Sequence, residues 1–538
     1  MCGVDVRSES KPTHDRTTFW QVALNGRTAL SDTLEMTGLA GWSRSEFDSH
    51  WERVYLESND HTVSFAGLDT DNPTNSYDFD VANPSQWDLM SIQWRQNHIE
   101  SEYYNAGLGL DWEASESSTF KAGGSYKRFT NSAYQYNAST NYKNSGALDT
   151  VPTLVNEYAS AIRFVVADVP ASFEALGNDA SLDASNLSTG TDYFVKEETF
   201  AGYVQYDLNT QLGEIGLRAN LCVRYYSTRL TSSGSSVTDS GFVPVRIISR
   251  YDGFLPALNI AFDLDRSLVL RLNANRNISR PALSDLSAAA TVRVAGYGGT
   301  ISAGNPYLTP YSADSVEASL EYYDGTRGFL SAGVFFKKMK SFVTTETSTV
   351  PYGETGYPLN LLEDGLDAST VFNFTRPVNT PGASIKGVEV AAKRDFDFLP
   401  APLDKLGALA NLTYADGHTD VYYDDVPYDL TLVDLSKWSY NATLYYDTPV
   451  FGARVSAAYR SRYRKGTGGN GNIGEYFTPT TFVDATAYYN ITERLQVRVE
   501  GLNLTDERLV QYADTDARRM MTNTVSGRTI SLGASYRF

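Results

Sequence analysis

The stretch that decides the fold runs from Ile215 to Tyr226 and reads IGLRANLCVRYY. Every second residue is apolar or aromatic, and the residues between them include two arginines and an asparagine. Successive side chains of a β-strand point to opposite faces, so this segment predicts a strand with one apolar and one polar face.

The same alternation recurs along most of the chain, in about eighteen segments of strand length. Clear examples are Leu268–Ala274, Val316–Tyr322, Leu330–Phe336, Val483–Tyr489, Leu495–Val499 and Ile530–Phe538. Short turns, such as Leu30–Asp32, Asp265–Ser267 and Thr492–Arg494, alternate with long polar connections at about 137–192, 281–311, 343–371, 416–434 and 464–479. Short turns on one side and long loops on the other are typical of a transmembrane β-barrel.

The composition of the chain argues against several classes of function. The 538 residues carry 45 Lys and Arg against 64 Asp and Glu, a net charge of −19, which argues against a nucleic-acid partner. Interrupted apolar segments argue against a membrane-spanning helix, which needs about 18 apolar residues in a row. Two cysteines, five histidines and no catalytic motif predict no metal site, no cofactor and no enzymatic activity.

The hydrogen-bonding requirement of the backbone in lipid predicts a barrel. Peptide groups in hydrocarbon need partners, so lipid-exposed strands must close upon themselves. The sequence therefore predicts an all-β fold, a transmembrane antiparallel β-barrel with apolar rows towards lipid and charged rows towards a wet lumen. The main structural alternative is a soluble, secreted β-protein whose apolar rows meet in a dry core.

Five motifs carry a resemblance to a known family. They are RNISRP at 276–281, GNPYLTP at 304–310, GVEV at 387–390, GLNLTDE at 501–507 and SYRF at 535–538. In this order they resemble TonB-dependent outer-membrane receptors, from about Thr18 to the C-terminus. The general style is similar to the receptors of xanthomonads and caulobacters.

The resemblance implies a 22-stranded barrel, of which about 18 strands are present here, and a plug domain that fills it. No signal peptide, TonB box or plug is visible before Thr18, so we expect a receptor fragment. Residues 1–17 are then a disordered or partly stranded leader, and residues 18–538 form the barrel domain without the plug. The implied location is the outer membrane of a Gram-negative bacterium. The implied partners are outer-membrane lipid, the barrel assembly machinery, a small-molecule nutrient and, only for a full-length form, the TonB complex.

For the ligand we favour a carbohydrate, and a siderophore remains open. Loop aromatics that stack on the ligand and inward arginines predict a site at Tyr297, Tyr307, Tyr422, Tyr423, Tyr476, Arg218 and Arg271. The alternative for these tyrosines is that they pack the loops together. By resemblance, Ile530, Leu532, Tyr536 and Phe538 form the C-terminal signal for barrel assembly. The rival functions are a plugless passive pore and a surface-binding or adhesin barrel.

Overall fold

The structure, a computed structural model, is almost entirely β. It describes residues 3–67, 70, 74–143, 152–155, 163–177, 182–188, 191–238, 241–295, 298–325, 327–357, 359, 362, 366–423, 426–466, 474–513 and 518–538. No helix among these residues is long and apolar enough to cross a membrane.

One antiparallel wall dominates the described residues. It follows chain order, each strand pairing with the next wall strand. The wall strands are β2 (Thr13–Ala29), β3 (Leu34–His61), β6 (Asp88–Ser115), β7 (Ser118–Asn141), β10 (Tyr193–Leu212), β11 (Ile215–Thr238), β12 (Gly241–Asp263), β13 (Leu268–Ser279), β16 (Tyr311–Tyr323), β17 (Gly328–Met339), β20 (Ser384–Asp395), β21 (Leu406–Tyr423), β23 (Trp438–Asp447), β24 (Phe451–Arg460), β27 (Thr480–Asn490), β28 (Leu495–Leu502) and β31 (Thr529–Tyr536). These seventeen strands are close to the eighteen or so predicted.

The remaining elements lie on the long-loop side, except the 3-10 turn Leu403–Lys405, which lies in the turn-side connection between β20 and β21. The short strands are β1 (Val4–Ser10), β4 (Val63–Ala66), β5 (Thr74–Tyr77), β8 (Thr153–Val155), β9 (Val165–Ala167), β14 (Ala290–Ala295), β15 (Gly298–Ala303), β18 (Ser341–Pro351), β19 (Val371–Pro381), β22 (Val426–Thr431), β25 (Tyr463–Gly466), β26 (Glu475–Phe477), β29 (Arg508–Ala513) and β30 (Arg519–Val525). Helix α1 spans Val169–Ala175, and 3-10 turns span Pro84–Gln86, Ala184–Asn186, Leu283–Leu286, Tyr352–Glu354 and Leu403–Lys405. We call this part of the molecule the loop layer.

The apolar rows of the wall are exposed, as a membrane barrel requires. On neighbouring strands β16 and β17, Val316 is 53% exposed and Val334 is 56% exposed. The residues that alternate with them, such as Glu317 and Gly333, line an internal cavity. The predicted transmembrane antiparallel barrel, with apolar rows outside and polar rows inside, is confirmed.

The buried apolar residues lie instead in the loop layer and at the loop-side ends of the wall strands. One cluster joins Leu56 and Trp94 of the wall to Phe173 of α1. A second surrounds Phe372 and Phe374 of β19. These side chains are at most 5% exposed, so the molecule has dry cores above the barrel and not within it.

The wall has two free edges among the described residues. β2 pairs with β3 and β31 pairs with β28, and no pairing joins β2 to β31. The wall counts seventeen antiparallel strands from β2 to β31. Because this number is odd, β2 and β31 run in the same direction.

Residues 1–17, predicted to be a disordered or partly stranded leader, contain strand where the structure describes them. Residues 4–10 form β1 and pair with the loop-side end of β3, and β2 starts at Thr13 and pairs with the rest of β3. Lys11 and Pro12 separate the two, so β1 and β2 together occupy one position in the wall.

Candidate ligand-binding lumen

A cavity of about 1230 Å³ lies against the inner wall. Its lining comes from nine neighbouring wall strands, β7 to β21, and from the turn between β6 and β7. Most of the lining residues occupy the turn-side halves of their strands. The inner rows of the alternating segments therefore build one continuous polar surface.

Asparagine amides form a row across this surface. Asn259 donates a hydrogen bond to Asn220 at 2.8 Å, Asn273 donates to Asn259, and Asn277 donates to Asn275 at 2.7 Å. An amide offers both donors and acceptors, so the row keeps hydrogen-bonding capacity for a polar ligand.

The two arginines predicted for the site lie in this lower part of the lumen and are paired. Arg218 makes two hydrogen bonds to Asp263, at 2.6 and 3.1 Å. Arg271 donates to Glu321 at 2.8 Å. The charges of both arginines are therefore neutralised by carboxylates of the same wall.

A second group of charges lies on the inner wall nearer the loops. Arg280, which follows β13, pairs with Glu197 at 3.2 Å and donates to Thr199 at 3.2 Å. Glu197 is 3% exposed and also accepts a hydrogen bond from Tyr251 at 2.7 Å. Sequence reasoning missed this group, although Arg280 lies within the RNISRP motif, because nothing in the sequence places it next to Glu197.

The predicted loop tyrosines have different surroundings. Tyr307 is 55% exposed, and its backbone N–H is held by Asn305 at 3.0 Å, so its ring is available to a ligand. Tyr476 is 6% exposed and stacks on Tyr512 with ring centroids 5.7 Å apart. Arg462 lies 5.1 Å from the centroid of the same ring. These contacts make Tyr476 a packing residue in this structure, so we leave it out of the site.

Three further predicted tyrosines give less information. Tyr297 lies outside the described residues. Tyr422 and Tyr423 end β21, where only the backbone is described.

Other loop tyrosines show that packing competes with ligand stacking. Tyr352 is fully buried and contacts Phe372 edge to face at 5.2 Å. Burial raises the pKa of Tyr352 to about 12, because the neutral phenol is favoured in a dry environment. Part of the aromatic content of the loops therefore stabilises the loop layer.

The residues of the predicted C-terminal signal for barrel assembly lie on the outer face of the wall. Ile530, Leu532 and Tyr536 of the last strand are 75%, 83% and 54% exposed, and the terminal Phe538 is exposed as well. The described residues contain no group of three His, Cys, Asp or Glu side chains that could hold a metal ion.

Comparison with known proteins assigns the fold. The family model of the TonB dependent receptor-like β-barrel matches residues 42–504. The chain belongs to this family. The resemblance found in the five motifs is confirmed at this level, and the narrower likeness to xanthomonad and caulobacter receptors stays a prediction.

Solved structures of such receptors share the fold. The ferric citrate transporter FecA in its unliganded form has a TM-score of 0.52 and 12% identity, covering 97% of this chain and 70% of that chain. The ferric-catecholate import receptor Fiu from E. coli K12 has a TM-score of 0.52 and 13% identity, covering 99% and 75%. The ferric yersiniabactin uptake receptor FyuA from Yersinia pestis has a TM-score of 0.50 and 11% identity, covering 97% and 71%.

At these identities the structural likeness shows the fold alone. A search of curated proteins by sequence finds no match. As a TonB-dependent receptor barrel, the chain belongs to a family of outer-membrane transporters and receptors that take up nutrients.

Proposed function

We propose that the chain forms the wall of an outer-membrane receptor that takes up a carbohydrate. The observation that carries the proposal is the large lower lumen, where amides form a row and the arginines are neutralised by carboxylates. Such a surface offers many hydrogen bonds to hydroxyl groups and little net charge. Specific sites use a few convergent polar groups in this way.

The exposed ring of Tyr307 adds a stacking surface at the loop layer. The apolar face of a sugar ring can lie on an aromatic side chain, while its hydroxyls reach water or amides. Tyr307, Asn220, Asn259 and Asn273 are therefore the residues to which we assign saccharide contact.

The wall needs further strands to work in a membrane. Unpaired peptide groups at the β2 and β31 edges cost several kcal/mol each in hydrocarbon, and exposed edges invite association with other chains. β2 and β31 run in the same direction, so an odd number of antiparallel strands would join them. We propose that the chain acts as part of a larger receptor, with a plug and with TonB as partner of the full-length form.

The second candidate is a passive pore. Every residue that lines the cavity belongs to a wall strand or to the β6–β7 turn, so the described residues leave this part of the lumen open. A plugless wall closed by further strands would conduct ions. Large conductance in a planar bilayer, independent of TonB, is the result that would favour this reading over active uptake.

The test of carbohydrate uptake is ligand binding by the purified full chain in detergent. We expect a neutral trisaccharide, maltotriose, or an acidic one, trigalacturonate, to bind with measurable heat. The variant Asn259→Leu removes the centre of the amide row, and we expect it to weaken that binding. Binding of ferric citrate with no binding of either saccharide would contradict the proposal and favour an iron chelate.

A further inference from the structure

We propose that the inner wall carries a binding site for an anionic group of the ligand, formed by Lys127, Arg224 and Arg280. We call these three residues the basic wall cluster. The inference rests on the proposed uptake of carbohydrate and narrows it, because the preferred saccharides are then acidic ones, with carboxylate or other oxyanion substituents.

Arg280 is held in place by two residues of β10. Its guanidinium reaches the inner face of β10, where it pairs with Glu197 and donates to the Thr199 hydroxyl at 3.2 Å. Thr199 is itself held by the Thr228 hydroxyl at 2.8 Å. Arg280 has five N–H donors in a planar fork, and its side chain is 41% exposed, so it can bind a second anion beside Glu197.

Lys127 is brought to the same place by strand register. Lys127 on β7 is the direct cross-strand partner of Thr199 on β10. Directly opposed residues have Cβ atoms about 4.5 to 5.5 Å apart. The lysine side chain and the Arg280 guanidinium therefore both lie next to Thr199.

Arg224 completes the cluster from the other side of β10. Its guanidinium donates to the Ser125 hydroxyl at 2.8 Å, across the intervening strand. Ser125 precedes Lys127 by two positions on the same inner row of β7. Arg224 and Lys127 thus approach each other along this row.

The charges of this region do not balance. Among the described residues, Glu197 is the carboxylate paired with the cluster, and neither Lys127 nor Arg224 has a carboxylate within ion-pair distance. Three cations face one buried anion in a chain whose net charge is −19. Like charges placed together on a low-dielectric wall create a local positive potential that attracts an anion.

The contrast with the lower lumen supports a role in ligand selection. There Arg218, Arg271 and Lys337 all have carboxylate partners. The cluster lies nearer the loops, so a ligand from outside meets the unbalanced charges before the balanced ones. An acidic group would be recognised at the cluster, and the rest of the molecule would meet a neutral amide surface.

The experiment is isothermal titration calorimetry on the full chain in detergent at low salt. The probes are trigalacturonate, maltotriose as the neutral trisaccharide, and ferric citrate as an anion that is not a saccharide. We expect trigalacturonate to bind at least tenfold more tightly than maltotriose, and its affinity to fall as salt screens the cluster. We expect Lys127→Gln and Arg280→Gln each to weaken trigalacturonate roughly tenfold to a hundredfold, the range of a charge-assisted hydrogen bond.

Two controls keep the result interpretable. Arg229→Gln removes the same charge from an exposed residue on the outward face of β11, and we expect it to leave affinity unchanged. Arg280→Gln also removes the partner of buried Glu197, whereas Lys127→Gln strands no carboxylate. Heat-modifiable electrophoretic migration checks that each variant is folded.

The outcomes separate the two proposals. Equal affinity for both trisaccharides, unchanged in the cluster variants, would overturn the anion site and leave carbohydrate uptake standing. Ferric citrate binding that the cluster variants weaken, with no saccharide binding, would support the anion site and overturn the carbohydrate proposal. Trigalacturonate binding that the variants do not weaken would overturn the anion site.

Discussion

The barrel wall and the loop layer use the same apolar residue types in opposite ways. In the wall, Val316 and Val334 are more than half exposed. In the loop layer, Phe372 and Phe374 are each 1% exposed. The difference follows from the surroundings, because lipid takes the place of a protein core for the wall, whereas the loops face water and must bury their own apolar groups.

This comparison separates two sources of stability. Loop residues are held by packing against other side chains, where a deletion leaves a cavity. Wall residues are held by backbone pairing and by lipid, which can fill the space that a smaller side chain leaves. Substitutions of the same type should therefore have different effects in the two regions.

The largest expected effect is in the loop layer. Phe374→Ala should lower the free energy of unfolding by about 3–5 kcal/mol, because Phe374 packs against Tyr357 with ring centroids 6.0 Å apart and is almost fully buried. Denaturant unfolding in lipid vesicles measures it. The matched variant is Phe336→Ala on the outer face, where Phe336 is 43% exposed. Equal losses from both variants would contradict the contrast between the regions.

The second largest effect is expected for a charge placed on the lipid face of the wall. Val334→Arg places a charge on the lipid face of β17 and should cost about 2–4 kcal/mol near the middle of the bilayer. The control is Ser331→Arg, on the inner face of the same strand, which should change stability by less than about 0.5 kcal/mol. The same vesicle-based unfolding assay serves both. A larger cost for Ser331→Arg would reverse the assignment of the two faces.

High pH should loosen the loop layer before the wall. The pKa of Tyr352 is raised to about 12, so its stabilising effect is fully present below about pH 10, the ordinary tyrosine pKa, and is lost as pH rises through about 12. The loss should reach about 2–3 kcal/mol. The free energy of unfolding of the chain minus that of Tyr352→Phe, measured from pH 8 to 12, should decrease by this amount. Parallel pH curves for both proteins would count against it.

The smallest effect tests packing on the inner face. A side chain at Gly387 would meet the Tyr414 carbonyl oxygen and the Phe335 ring. Gly387→Val should therefore destabilise the wall by about 1–3 kcal/mol through overpacking. Gly533→Val on β31 is the control, since nothing lies within 4 Å of the position its Cβ would take. Unfolding that is insensitive to Gly387→Val would show that Phe335 moves aside at no cost.

Much of the wall could be predicted because its signal is local. Alternation at Leu330–Phe336 gives both the strand and its outer face, and the turn at 324–328 gives the hairpin that the structure contains between β16 and β17. The GVEV motif lies on β20, a strand of the wall. Each of these features depends on residues that are near one another in sequence.

The loop layer and the basic wall cluster could not be predicted in the same way. Arg224 and its partner Ser125 are 99 residues apart, and Arg280 and Thr199 are 81 residues apart. Their contacts depend on strand register and on where a loop returns to the wall, and neither leaves a periodic signal. For the same reason, the sequence did not distinguish the exposed Tyr307 from the buried Tyr476.

The most direct test of the central claim is the environment of successive residues on one wall strand. Single cysteines at positions 330 to 334 of β17, introduced after Cys2→Ser and Cys222→Ser and labelled with a fluorophore in lipid vesicles, report lipid or water through quenching. We predict that labels at Leu330, Ala332 and Val334 are quenched by brominated lipid, and that labels at Ser331 and Gly333 are quenched by a water-soluble agent. A barrel with apolar rows in lipid and a polar lumen would be contradicted if the water-soluble agent quenched the labels at Leu330, Ala332 and Val334. Quenching that did not alternate along the strand would contradict it as well.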